Sequence, residues 1–168
     1  MKKWCLRGKV IHGFGRGGSL LGFPTANIEL DESTTKSLTQ YKNQVIFGWG
    51  CVEQNASEDA GPFPFAMSVG HNPQFANKEL TAEVYFLHKF HSDFYDSYVR
   101  ILCLGVLREQ SAFTTIEELI KMIQGDCDNT QKLLKEEAYK PYEKDRFVLP
   151  TTTLTAEETE KTPYYKEL

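Results

Sequence analysis

Two stretches of the chain carry residues whose types and spacing suit chemistry. The first, GFGRGGSLLGFPTAN (13–27), sets Gly13, Gly15, Gly17, Gly18 and Gly22 around a rigid Pro24-Thr25-Ala26-Asn27. Glycine-rich loops let a backbone approach a phosphate closely and present its N–H donors. Pro24 fixes φ, and strand alternation beyond it puts Thr25 and Asn27 on one side. A hydroxyl and an amide oxygen on one face make a modest hard-ligand pair, of the sort magnesium takes beside nucleotide phosphates. An ordinary turn, with both side chains bonding local backbone, fits these two residues equally well. The second stretch is LTAEVYFLHKF (80–90), where Glu83 interrupts an apolar strand on the face shared by Thr81 and Tyr85. A carboxylate there is costly to bury unless paired or functional, and an outward-facing, solvated glutamate is the plain alternative.

Two better-known glycine motifs fail on their own structural requirements. Gly13, Gly15 and Gly18 match G-x-G-x-x-G, but that fingerprint needs a helix to start within it, and Gly22 and Pro24 would break one. Gly17 and Gly22 have P-loop spacing, yet Phe23-Pro24 stands where Lys-Ser/Thr is required. A hairpin turn without a ligand stays open on composition alone. Arg16, the one cation inside the loop, reads either as a solvated arginine or as a charge neutraliser for phosphates under a closing flap. His88 and His91 have metal-like spacing, but strand residues three apart face opposite ways, so no His-x-x-His site is expected. His88, His91 and Asp93, with Lys89, are expected instead to border a nucleotide.

The elements that must position these residues are mostly strands. Residues 4–13, 44–54 and 63–70 read as strands, with polar loops at 31–43 and 55–62 and a turn at Gly70-His71-Asn72-Pro73. Residues 80–90 and 97–109 are apolar at nearly every central position, which suggests burial on both faces or a closed sheet. The period then changes. Residues 114–126 predict a helix capped at Thr114 or Thr115, with Glu117 and Glu118 in its first turn and an Ile116, Leu119, Ile120, Ile123 stripe. A second helix is expected over 127–140, stopping before Pro141. Residues 1–140 then form a small antiparallel barrel with helices on one side, and 141–168 a polar, partly disordered tail.

Bulk properties narrow the class. With 168 residues and a net charge of −4, one domain is expected and a general nucleic-acid or anionic-membrane binder is not. No apolar run reaches the ~20 residues of a membrane span, and the basic start lacks a signal-peptide core. Cys5, Cys51, Cys103 and Cys127 lack CxxC spacing and read as reduced thiols of a cytoplasmic protein.

Several blocks together resemble the riboflavin kinase family. GKVIHGFGRGGSLLGFPTAN (8–27) is similar to its flap followed by G-[FI]-P-T-A-N. FGWGCV (47–52), SVGHNP (68–73), AEVYFLHKF (82–90), DFY (93–95), LRE (107–109) and the F-x-x-x-E-x-L-x-x-x-I-x-x-D run (113–126) follow in the family's order. The resemblance implies a closed six-stranded antiparallel Greek-key barrel. It implies transfer of the ATP γ-phosphoryl group to the ribityl 5′-hydroxyl of riboflavin, giving FMN and ADP with Mg2+ required. It implies that Gly13, Gly15, Arg16, Gly17, Gly18 and Ser19 cover the phosphates and that Thr25 and Asn27 hold the metal and phosphates. By the same likeness Glu83 is the base, and Arg108 and Phe113 contact the flavin, although an aromatic just ahead of a helix is as often a core plug. Asp96 stands where the family has glycine, so a differently built turn is expected; Gln44 also replaces a glycine, and the tail has no counterpart.

The expected protein is a monomeric flavokinase acting on ATP and riboflavin, without an adenylyltransferase module. A non-catalytic flavin- or nucleotide-binding barrel is the alternative, disfavoured because a binder needs no base. An oligonucleotide-binding barrel fits the aromatic strands but not the acidic balance.

Overall fold

A computed structural model describes residues 1–11, 25–53, 55–71, 80–91, 94 and 96–168. Six strands, β1 (Trp4–Ile11), β2 (Thr25–Ile28), β3 (Gln44–Val52), β4 (Phe63–His71), β5 (Leu80–Phe86) and β6 (Tyr98–Glu109), run in the order β2-β5-β4-β3-β6-β1. All pairings are antiparallel, and β1 pairs β2 at Val10↔Ile28 and Ile11↔Asn27, which closes the barrel. Closure covers the β1 edge only at Val10 and Ile11 and leaves Trp4–Arg7 of that strand for another partner. The interior holds Trp4, Leu6, Val10, Ala26, Ile28, Phe65, Met67, Val69, Ala82, Val84, Phe86, Val99 and Ile101. These alternate along their strands with outward residues, as the pleat requires. β3 and β6 come closest at Gly48, where an added Cβ would collide with the Leu102 carbonyl oxygen, beside a register shift at Phe47/Gly48.

Helix α1 (Glu32–Leu38) occupies part of the stretch expected as a loop. The Asp31 carboxylate accepts from the Thr34 N–H (2.8 Å) while the Thr34 hydroxyl accepts from the Asp31 N–H (2.9 Å). This reciprocal cap, with Leu38 buried, sustains two turns in a polar sequence. Helix α2 (Ile116–Leu133) is one continuous helix where two were expected, because buried Ile123, Asp126, Cys127 and Thr130 continue one stripe across Gly125. Its N-cap is Thr115, whose hydroxyl accepts from the Glu118 N–H at 3.1 Å. Asp96 sits at φ 69°, left-handed backbone that glycine adopts freely and aspartate tolerates. The turn therefore keeps a glycine-like conformation at that position rather than avoiding it.

The expectation of a partly disordered tail over 141–168 is corrected. Helix α3 (Ala156–Glu160) and strand β7 (Tyr164–Glu167) fold there, and β7 pairs with β1 from Trp4 to Arg7, the part of that edge β2 leaves open. Phe147, Val148, Leu154 and Tyr164 bury against Cys5, Phe47, Trp49, Leu102 and Leu104 on the barrel's outside. Apolar anchors at irregular spacing supply this layer, so no period betrays it in the sequence. Beneath it, Glu53 accepts from Arg7 Nε and Arg100 Nε, both at 2.9 Å. Arg100 Nη1 also donates to the Leu149 and Thr152 carbonyls, and Arg7 Nη1 to the Thr162 hydroxyl. Hydrogen bonds from both arginines hold the Glu53 carboxyl below its usual value, although burial pushes the other way.

Candidate active site on the outer face of the barrel

Ala26 and Ile28 of β2, and Ala82, Val84 and Phe86 of β5, point into the barrel. Alternation therefore turns Thr25, Asn27, Glu83 and Tyr85 outward. The β2–β5 register sets Asn27 opposite Glu83 and Thr25 opposite Tyr85. Side chains opposite one another on such a ladder have Cβ atoms about 5 Å apart. One small patch of the outer wall thus gathers a hydroxyl, an amide, a carboxyl and a phenol.

The patch is outside the barrel but not open to water. Thr25 and Asn27 are 4% and 6% exposed, and Tyr85 is buried beneath α2 with Val45, Ala66, Ile123 and Cys127. Thr25 Oγ1, Asn27 Oδ1 and the Tyr85 hydroxyl are buried without a hydrogen-bond partner among the described residues. Buried polar atoms are nearly always paired, and leaving one bare costs ~1–3 kcal/mol. Two bare hard oxygens on adjacent outward positions are donors that Mg2+ accepts when water and phosphate oxygens fill its remaining positions. Burial pushes the Glu83 carboxyl above its usual value; the Thr25 hydroxyl, near enough to offset this in part, lies outside hydrogen-bonding geometry with it. Burial likewise raises the Tyr85 phenol, and the charge of Asp126 adds to it.

Arg108 faces this patch from β6 but is already engaged. Its Nε and Nη2 donate to Asp126 Oδ1 (2.7 Å) and Oδ2 (2.8 Å) of α2, a bidentate pair that pins the helix to the wall. Phe113 lies just ahead of α2 and is 47% exposed, with Ile116 at 62% close behind it in sequence. It is no core plug; it offers a bare ring edge to the surface. Nearby, the Gln110 amide donates to the Ser68 hydroxyl, and Ser68 is the β4 partner of Glu83.

His88 and His91 come together elsewhere, against expectation. β5 ends at Phe86, so strand alternation no longer applies to either. His88 Nε2 and His91 Nδ1 both meet Asp59 Oδ1, at 2.9 and 3.0 Å, and the His91 N–H donates to Asp59 Oδ2 at 2.8 Å. The Asp59 carboxyl is held well below the carboxylate range: burial raises it, but the hydrogen bonds from His88 and His91 outweigh that. The His91 imidazole is correspondingly raised by its bond to Asp59. Gly13, Gly15, Arg16, Gly17, Gly18, Ser19 and Asp93 lie outside the described residues. The sequence put Tyr85 on the face of Glu83 and Asp126 at the end of the 113–126 motif without marking either as a site residue, and it did not single out Asp59. Tyr85 was hidden in an apolar run, and Asp59 stands in a polar loop with nothing local to distinguish it.

Comparison with known proteins places this barrel. The family model "Flavokinase: Riboflavin kinase" matches residues 1–134. A riboflavin kinase of Pyricularia oryzae is 38% identical over 146 residues, covering 81% of this chain and 73% of that protein. The Homo sapiens riboflavin kinase is 33% identical over 142 residues, covering 84% and 87%. The crystal structure of riboflavin kinase from Trypanosoma brucei superposes with a TM-score of 0.77 at 38% identity, covering 100% of this chain and 98% of that one. The chain belongs to the riboflavin kinase family.

Proposed function

We propose that this chain transfers the γ-phosphoryl group of ATP to the ribityl 5′-hydroxyl of riboflavin, with Glu83 as the base and Thr25 and Asn27 as the metal-holding pair. The membership above supports the reaction; the two bare oxygens of Thr25 and Asn27 beside a raised carboxyl carry the site assignment. A magnesium ion held there would supply positive charge against the phosphates. The Glu83 carboxylate takes the hydroxyl proton as the new O–P bond forms and the bond to the ADP oxygen breaks. Phosphoryl transfer has a loose transition state, so orientation and charge neutralisation bear most of the work, and a modest base suffices. The 13–19 loop, with Arg16, is the proposed cover for the phosphates. His88, His91 and Asp93 are assigned to the nucleotide's border, and Phe113 to the face of the flavin ring. Arg108, assigned to the flavin side, acts there through Asp126, holding α2 over the wall that carries Tyr85.

Among the described residues no helix is long and apolar enough to cross a membrane. A cytoplasmic monomer working on small molecules, without nucleic acid, completes the proposal. The non-catalytic binding barrel is not favoured, since a binder has no use for a half-buried carboxyl that costs stability. Incubation with riboflavin, ATP and Mg2+ should yield FMN and ADP in equal amounts. No turnover with any nucleotide or divalent ion would leave a binding barrel.

A further inference from the structure

Asp59, His88 and His91 share no ligand atom with the Thr25–Asn27 pair, and, beside the nucleotide-border place proposed for the two histidines, their arrangement has a chemistry of its own. The three ligand atoms fall within 4.8 Å of one another, the one such group of three His, Cys, Asp or Glu side chains among the described residues. We propose that these three side chains bind a divalent transition ion of the zinc class. Two imidazole nitrogens and one carboxylate oxygen are the donor set such ions prefer over magnesium.

The geometry is preorganised. Both imidazoles aim at one carboxylate oxygen, so two nitrogens already flank the third donor. Bonds of ~2.0 Å in a tetrahedral shell widen the 2.9 and 3.0 Å nitrogen–oxygen separations by a few tenths of an ångström and draw the two nitrogens, within 4.8 Å of each other, around the ion. The His88 ring is clamped: it stacks on Phe63 with centroids 4.0 Å apart and meets Phe90 edge-on at 4.8 Å. Asp59 is 1% exposed, and its second oxygen is fixed by the His91 N–H. A ligand oriented by an outer hydrogen bond in this way binds metal better. The His91 side chain is 70% exposed, which leaves an entry path and room for an exchangeable fourth ligand. The bound ion would fasten the 57–59 turn to the chain leaving β5. Hydrogen bonding alone accounts for the metal-free arrangement; ion binding replaces two N–H donors with nitrogen lone pairs and releases protons to solvent.

The test uses the full chain, stripped with chelator, without nucleotide or riboflavin. Zn2+ is titrated by calorimetry and Co2+ by its visible absorption, which is intense only in four- or five-coordinate sites. One equivalent of each is expected to bind, with the intense cobalt band. His91→Ala, a change at an exposed side chain, should weaken binding at least about 10-fold, the loss typical even of an outer-sphere partner. Asp59→Asn should do the same, and thermal melts report whether each variant is folded. Thr25→Val should leave the titration unchanged, so the result is independent of the proposed magnesium pair. Absence of saturable binding, or binding that survives His91→Ala, or binding that Thr25→Val removes, would each overturn the proposal.

Discussion

Asn27 and Glu83 face each other across the β2–β5 ladder, on the outer wall of the barrel. Among the described residues neither the amide oxygen nor the Thr25 hydroxyl two residues before it has a hydrogen-bond partner, and the carboxyl beside them is raised by burial. A wall that stores three unfavourable polar groups in one place is spending stability on function, which generates consequences for both.

Thr25→Val should separate the two. It removes a bare buried oxygen at nearly constant shape, so the ligand-free chain should melt no lower, and up to ~1 kcal/mol more stable. FMN formation should fall, with weaker dependence on Mg2+. Calorimetric melting and a magnesium titration of turnover measure the pair; a destabilised variant of full activity would remove Thr25 from the site.

The raised Glu83 carboxyl has a defined pH signature. Its folded value lies above the unfolded one near ~4.3, so stability is complete below the unfolded value and is lost as pH rises through the folded one. Glu83→Gln should therefore raise the melting temperature at neutral pH. Turnover of the parent should climb through a limb above the ordinary glutamate range. A variant that melts lower at pH 7, or a limb at the ordinary value, would contradict the assignment.

Glu53 has the opposite sign. Arg7 and Arg100 hold its carboxyl down, so its contribution is present above the unfolded glutamate value of ~4.3 and is lost as pH falls through the lower folded value. Glu53→Ala leaves two buried guanidinium groups uncompensated and should cost ~3–5 kcal/mol at neutral pH. Denaturant melts of parent and variant should converge as the solution is acidified. Parallel pH profiles would exclude the triad as the source.

The C-terminal layer should report through a thiol. Burial pushes Cys5 up to about 12, with Glu158 and Asp145 adding to it, and Cys51 to about 12 and Cys127 to about 11. In the native chain alkylation at pH 8 should be slow, since the thiolate is the nucleophile. Phe147→Ala opens the layer that covers Cys5, at a cost of ~3–5 kcal/mol. Mass spectrometry should then find Cys5 labelled before Cys103, which lies inside the barrel. Equal labelling would show that the layer does not shield it.

What the sequence revealed follows physical lines. Strand alternation gave the common face of Thr25 and Asn27 and that of Glu83 and Tyr85, because the pleat alone decides it. The two-sided apolar character of residues 80–90 and 97–109 pointed to burial on both faces or a closed sheet, and the structure has both, the outer face being covered by α2 and the C-terminal layer. Helix α1 was illegible because its cap uses Thr34 where glutamate or glutamine usually marks the motif. The C-terminal layer was illegible because Arg7, Glu53 and Arg100, far apart in the chain, do the anchoring. His88 and His91 were misplaced by extending alternation two and five residues beyond the end of β5, where the backbone bends toward Asp59.

The most direct measurement is FMN formation from riboflavin, ATP and Mg2+ by the parent and by Glu83→Gln, with riboflavin binding followed in parallel. The account predicts turnover in the parent and a fall of ~10²–10⁴-fold in the variant, with binding retained. Equal turnover in both would remove Glu83 from the mechanism and contradict the central claim.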